Sequence, residues 1–335
     1  MKTRIALAAL ALLAVGCSKN ENMSAPESPV NAKAIQIGQN VQGVTRAVIS
    51  EGSAVTATVL MRDASASDWS SFTAIKKNDI TSGTLNTRAN VSTASFKAGS
   101  NQAVVLNPSL YYDHVANTNN AFLVAVAPDG ILAASGTVVT MKNMDGEQDV
   151  MYASVVDAGN EGTPTKPVNL SFNHLTTQLS FEVKMTPATS DGEWDSKTVV
   201  VKGISVQSAQ LPKAVDAADG KVDWSSAASL VVPNIANVSL NGTASKAGNP
   251  VMLKGDSKVV VDVTLTVGDA DLTISNITIK NTATSAELTT ETAKSHLITL
   301  NVNEPSKATG GEATISATAS VTPWETGANG SADLN

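Results

Sequence analysis

One thiol, three imidazoles and a few clustered carboxylates are the groups through which this chain can do chemistry. Cys17 is the only cysteine in 335 residues, and it follows the small residues Ala14, Val15 and Gly16. A lone thiol so placed can carry a lipid, but it excludes a disulfide framework and a cysteine-based zinc site. His114, His174 and His296 are far apart, and none stands in an HExxH or comparable zinc-ligand spacing. No GxSxG elbow, Walker loop or GxGxxG occurs. His174 continues the parity of Leu170 and Phe172, which makes it a packing residue, buried or half-buried. Asp145, Glu147 and Asp149, or Asp269 with Asp271, offer oxygen ligands for calcium, yet neither set has the Gly and terminal Glu of an EF-hand loop. Hydrogen bonding within tight turns accounts for them more simply. The expectation is a protein that is not an enzyme and has no catalytic residue, no cofactor and no metal site.

The thiol gains meaning from what precedes it. Met1 to Arg4 carry two positive charges, and Ile5 to Val15 form an unbroken apolar stretch, so residues 1–16 read as a secretory signal peptide. About eleven apolar residues are too few to span a hydrocarbon core about 30 Å thick. The junction resembles a bacterial lipobox, with Ala14 at the third position before the cysteine where Leu is usual and Leu13 beside it. The expected modification is a lipid on Cys17 as the new first residue. The bland alternative is a cysteine that happens to follow a signal peptide. Ser18 to Lys33 is polar and contains proline, and it cannot bury enough surface to offset the entropy of ordering. Ser18 is not the Asp that usually retains lipoproteins in the inner membrane, so the lipoprotein resemblance implies the outer membrane as the location.

The elements that must position any site are strands. Charged residues make up 16% and aromatics 4% of the chain, which leaves room for the Thr, Ser and Val of half-buried strands. The net charge of -7 comes with no basic run and so gives no footprint for nucleic acid. Period-two alternation places Leu179, Phe181, Val183 and Met185 on one face, Val259 to Val267 by odd numbers on another, and Ala313, Ile315, Ala317, Ala319 and Val321 on a third. Further strands are expected at Ala54–Met61, Ala103–Leu106, Ala121–Ala127, Thr137–Met141, Val168–Phe172, Thr198–Val206, Leu272–Ile279 and Leu297–Val302. The parity slips within Thr198–Val206 and within Leu272–Ile279, which predicts bulges, with Gly203 suited to one. Turns fall at Pro128-Asp129-Gly130, Asp145-Gly146, Asp219-Gly220 and Gly268-Asp269-Ala270. Such a chain forms antiparallel sandwiches. The expected domains are 47–160 and 165–335, divided at the Gly- and Pro-containing stretch Asp157 to Lys166; the polar stretch Pro187 to Glu193 is the other candidate boundary.

Several stretches resemble the fimbrillin family of the Bacteroidetes, the subunits of type V pili. They are the junction ending in Cys17, Val44-Thr45-Arg46-Ala47, Asp145-Gly146-Glu147-Gln148-Asp149-Val150-Met151-Tyr152, Leu170 to Val183, and Val321-Thr322-Pro323-Trp324-Glu325-Thr326-Gly327. They occur in the family's order across most of the chain. The resemblance implies two transthyretin-like Greek-key sandwiches, export as a lipoprotein, and cutting by an arginine-specific protease. The matching cut lies after Arg46 and makes Ala47 the new first residue, so that residues 17–46 form a lipidated leader removed on maturation. The bland reading of Arg46 is an ordinary solvated arginine. The implied partners are other pilus subunits, that protease, and, before cleavage, the outer membrane through the lipid on Cys17. The mature protein is expected in a cell-surface fimbria that supports adhesion.

The residues suggest how such a protein would assemble. Ile35, Ile37 and Val41 share a parity, so the segment before Arg46 can act as a first strand covering an apolar groove. Its removal would expose unpaired backbone and apolar side chains that invite a strand from another subunit. Glu312 to Thr322 has the pattern of a candidate donor and equally that of an internal strand of the second sandwich. Head-to-tail repetition does not close, so the product would be a filament. The rival reading is a surface-anchored, glycan-binding lipoprotein that does not polymerise and whose Trp69, Trp194, Trp224 and Trp324 stack on sugars.

Overall fold

A computed structural model describes residues 32–41, 52–63, 68–99, 104–116, 118–186, 191–308 and 311–323. Among them the chain forms strands and no helix. In the amino-terminal half these are β1 (Ile37–Val41), β2 (Ala54–Asp63), β3 (Asp79–Thr81), β4 (Thr84–Thr87), β5 (Val91–Lys97), β6 (Val105–Asn107), β7 (Ala121–Ala127), β8 (Ile131–Leu132), β9 (Val138–Thr140), β10 (Met151–Asp157) and β11 (Val168–His174). The carboxy-terminal half contributes β12 (Thr177–Met185), β13 (Val199–Ala209), β14 (Pro212–Asp216), β15 (Lys221–Trp224), β16 (Ala228–Val231), β17 (Val238–Ser239), β18 (Ser245–Lys246), β19 (Val251–Leu253), β20 (Val260–Val267), β21 (Ala270–Thr278), β22 (Lys280–Asn281), β23 (Lys294–Asn303) and β24 (Thr314–Pro323). The all-β sandwich architecture expected from the alternation is the one observed.

The second lobe is a sandwich of two sheets, ordered β18-β12-β23-β24-β22 and β16-β13-β20-β21. Its core is the set of alternating positions already visible in the sequence: Leu179, Phe181 and Val183 with Ile298, Leu300 and Val302 face Val201, Ile204, Val261, Val263 and Leu265. Both parity slips are bulges. The register between β13 and β20 shifts between Val201 and Gly203. Opposite Asp262, β21 carries the extra residue, with Asn276 at a φ of 59°. The Asn276 N–H donates to Asp262 Oδ1 at 2.8 Å, so a carboxylate satisfies the backbone group that the bulge takes out of the ladder.

The first lobe is built on one seven-stranded sheet, β1-β11-β10-β7-β2-β5-β6. Runs of small and β-branched residues in β2 and β7 bury both faces of this sheet: Ala57, Val59, Leu123 and Ala125 point into one core, and Leu60, Val124 and Val126 into another. Inclusion of β11 in this sheet corrects the expected boundary. Val168, Leu170 and Phe172 belong to the first core, so a division at 160–165 would split a sheet, and the chain passes between lobes at Leu175–Thr176.

The two halves of the chain also share a sheet. The hairpin β14–β15 comes from the second half of the chain, yet β14 pairs with β9 of the first, giving a four-stranded sheet β15-β14-β9-β8. Val215 and Ala217 complete the first lobe's outer core with Trp69, Phe72 and Val139. The hairpin closes at Gly220, whose φ of 77° favours glycine; a Cβ there would lie 2.6 Å from the Tyr152 ring.

Candidate functional site

The amino-terminal strand β1 is the feature of the first lobe that could be exchanged for another chain. Alternation makes it amphipathic: Ile35, Ile37, Gln39 and Val41 are 4%, 3%, 6% and 1% exposed, and the three aliphatic residues join the first core. β1 runs parallel to β11, from Ile37 opposite Val168 to Val41 opposite Phe172. Its other flank is also paired. The Ile35 N–H donates to the Leu110 carbonyl at 2.8 Å, the Tyr112 N–H to Lys33 at 3.1 Å and the Val104 N–H to Ile37 at 3.1 Å. Residues 33–41 thus lie in a slot between β11 and the segment 104–112, bonded along both flanks.

The walls of this slot are apolar. Phe96 stacks on Phe172 with ring centroids 5.3 Å apart at 26°. Tyr112 is buried and donates its hydroxyl to the Ala158 carbonyl at 2.8 Å. Burial, with the Asp157 carboxylate adding to it, raises the phenol above its ordinary range, so it remains a donor at neutral pH. Among the buried residues in 33–41 Gln39 is polar, and its Nε2 donates to the Lys97 carbonyl at 2.8 Å. At the upstream end Lys33 Nζ reaches the Glu161 carbonyl at 3.0 Å, and the Glu161 carboxylate pairs with His114 Nδ1 at 2.8 Å. Burying Ile35, Ile37 and Val41 contributes together about 5 to 9 kcal/mol before the cost of ordering the segment. Without this strand, that apolar surface and two flanks of backbone groups would face water.

The parity reading of Ile35, Ile37 and Val41 agrees with this placement. Cys17, Arg46 and Ala47, the expected lipidation and cleavage residues, lie outside the described residues. The candidate donor, Glu312 to Thr322, corresponds to β24, which lies within its own lobe's sheet. It is antiparallel to β23 from Thr314–Asn303 to Pro323–Lys294, and β22 pairs with its other side. Of the two roles left open for it, this is the internal one.

Other residues with chemical potential fall into structural roles. Asp145 Oδ1 accepts from the Glu147 N–H at 2.9 Å, as turn chemistry requires, and Asp271 pairs with Lys202 at 2.5 Å. Trp69 and Trp194 are each 4% exposed, so neither ring is presented to a sugar. No group of three or more His, Cys, Asp or Glu among the described residues is arranged to hold a metal ion. Sequence reasoning missed one pairing: the buried His174 Nδ1 meets the buried Asp149 carboxylate at 2.8 Å. Both residues stand in stretches quoted for the resemblance, Asp145 to Tyr152 and Leu170 to Val183, but nothing in the local pattern pairs them.

The chain matches the family model described as fimbrillin-like over residues 45–324. No curated protein matches it. Among solved structures, it resembles a protein of Bacteroides uniformis ATCC 8492 provisionally termed a cell adhesion protein, at 14% identity and a TM-score of 0.51, over 87% of this chain and 98% of that one. A fimbrial protein from Bacteroides vulgatus ATCC 8482 aligns at 14% identity and a TM-score of 0.45, over 88% of this chain and 100% of that one. A fimbrilin from Porphyromonas gingivalis W83 aligns at 11% and 0.42, over 89% and 99%.

Proposed function

Because the chain belongs to the fimbrillin-like family, we propose that it is a structural subunit of a cell-surface fimbria that polymerises by strand exchange after an arginine-specific protease cuts at Arg46. The observation that carries this reading is the leader's position: β1 is held in an apolar slot by backbone pairing on both flanks. It connects to Arg46 through four residues, Gln42 to Thr45. Cutting there turns an intramolecular strand into a ligand, which dilution and competition can remove. Before the cut, the lipid on Cys17 tethers the precursor to the outer membrane. After it, the vacated slot takes a strand from a neighbouring subunit, and the tether is lost with the leader.

The mechanism needs no catalytic group in this chain. Covalent attachment makes the leader's effective concentration high, so the uncut precursor stays monomeric. Cleavage lowers the cost of replacing it, and the incoming strand regains the backbone ladder on β11 together with apolar burial. Each addition leaves one open slot or one free donor, so growth is linear.

The test is to treat purified precursor with an arginine-specific protease and follow it by mass spectrometry and denaturing gel. The expected product is a core beginning at Ala47 that forms ladders resistant to detergent. Clean cutting at Arg46 that yields only monomers, at any concentration, would overturn the reading.

A further inference from the structure

The tripeptide Thr-Arg-Ala occurs twice in this chain, at Thr45-Arg46-Ala47, where the proposed cut falls, and at Thr87-Arg88-Ala89. The second copy joins β4 to β5 and is folded away. Ala89 is buried, and the Arg88 side chain is 20% exposed. Arg88 Nη2 pairs with Asp63 and, at 3.5 Å, with Asp113, while its Nη1 donates to the Tyr111 carbonyl at 2.9 Å. The backbone around the Arg88–Ala89 bond is held as well. The Ala89 N–H donates to Asn78 Oδ1 at 2.7 Å, the Asn90 N–H to the Ile75 carbonyl at 2.9 Å, and the Met61 N–H to the Asn90 carbonyl at 2.8 Å. A protease that reads arginine must take the side chain into its own pocket and the neighbouring backbone into its cleft, so this bond can be cut only after local opening.

Two of these restraints lead into the flank of the slot. Tyr111, whose carbonyl accepts from Arg88, is bridged to Ala34, and the Tyr112 N–H donates to the Lys33 carbonyl. Asn78, which holds the Ala89 N–H through Oδ1, donates through Nδ2 to the Ser109 carbonyl at 3.0 Å, and the next carbonyl, that of Leu110, accepts from the Ile35 N–H. Residues 33–35, the segment 109–112 and the Arg88–Ala89 bond thus form one connected set of hydrogen bonds.

We propose that Arg88–Ala89 is a second site for an arginine-specific protease, closed while a strand fills the slot and opened when the slot is empty. The proposal rests on the leader-release reading and adds to it the fate of a subunit that loses its leader and gains no replacement. An empty slot takes away the partners of residues 110–112 on that flank, and the segment can then draw the Tyr111 and Ser109 carbonyls away from Arg88 and Asn78. Hydrolysis adds water across the Arg88–Ala89 peptide bond, leaving a carboxylate on Arg88 and an amine on Ala89. It severs the connection between β2 and β5, which are neighbours in the first sheet. Filled subunits would survive the protease that matures them, and vacant ones would not.

The experiment treats the full chain with an arginine-specific protease and follows the fragments by mass spectrometry. In the chain carrying Arg46→Lys the leader stays attached, and Arg88 should resist. Adding Ile37→Ala loosens the seated strand with no cut at residue 46, and cutting at Arg88 should become about tenfold faster or more, because proteolysis through an opened state follows the population of that state. Arg88→Lys should abolish the fragment, which assigns it to this bond. In the unsubstituted chain the cut at Arg88 should follow the cut at Arg46; cutting at Arg88 first would overturn the proposal. So would equal rates with and without Ile37→Ala, an outcome that leaves leader release standing. Hydrogen exchange in β7 separates local opening from loss of the whole lobe: a faster cut that only keeps step with exchange in β7 also overturns it. An Arg88 bond that responds to Ile37→Ala in a chain never cut at Arg46 would uphold the link between slot and site and sink leader release by this protease.

Discussion

At the scale of single residues, the buried pair Asp149–His174 carries the largest single stake. The carboxylate and imidazole are 2.8 Å apart, beside the crossing from β11 to β12, with the Leu175 N–H bonded to the Val150 carbonyl at 2.8 Å. Removing one partner strands the other in a low-dielectric site. Asp149→Ala should therefore lower stability by about 3 kcal/mol or more in denaturant titrations. A second buried imidazole sets a pH dependence. Burial holds His296 below its ordinary range, only partly offset by the Glu291 carboxylate. Because the folded protein favours the neutral ring, this contribution is intact above the unfolded value of about 6.5 and is lost as pH falls below it. The unfolding midpoint should drop between about pH 7.5 and 5.5, and His296→Gln should flatten part of that drop. The sequence marked His174 as a packing residue through its parity with Leu170 and Phe172. Its partner was not legible, because the meeting of Asp149 and His174 depends on the pairing of β10 with β11.

At the scale of elements, alternation revealed strands and sequence distance concealed their neighbours. Gln178 to Met185 and Lys258 to Val267 were readable because one face of each is buried, and the slips near Gly203 and Asn276 were readable because a bulge inverts that face. The shared sheet was not, since nothing in the local pattern of Pro212 to Trp224 says that it pairs with Val138–Thr140. The same short strands would fit any exposed edge. The hairpin's role can be tested with Val215→Asp, which places a charge among Trp69, Phe72 and Val139. It should destabilise the first lobe as well as the second, visible as a single earlier transition and increased hydrogen exchange in β2 and β7. Within the slot, Ile37→Ala in the uncut precursor should cost about 2 to 4 kcal/mol, with faster exchange in β11 than in β20.

At the scale of the whole molecule, the domain boundary moved because β11 follows the glycine- and proline-rich stretch yet belongs to the first sheet. Composition locates mobile or turning chain; it does not say which core the next strand joins. The slot's inward residues, Ile35, Ile37, Gln39 and Val41, are uncharged. Assembly after cleavage should thus vary little between about 0.05 and 0.5 M salt, measured by light scattering, in contrast with a polymer held by surface ion pairs. The parallel pairing of β1 with β11 has a mechanical consequence. An occupant drawn out lengthwise pulls along the ladder, so its hydrogen bonds share the force in shear instead of opening one at a time. The same tension passes from β11 through Leu175 and Thr176 into β12, whose long parallel pairing with β23 resists it in the same way.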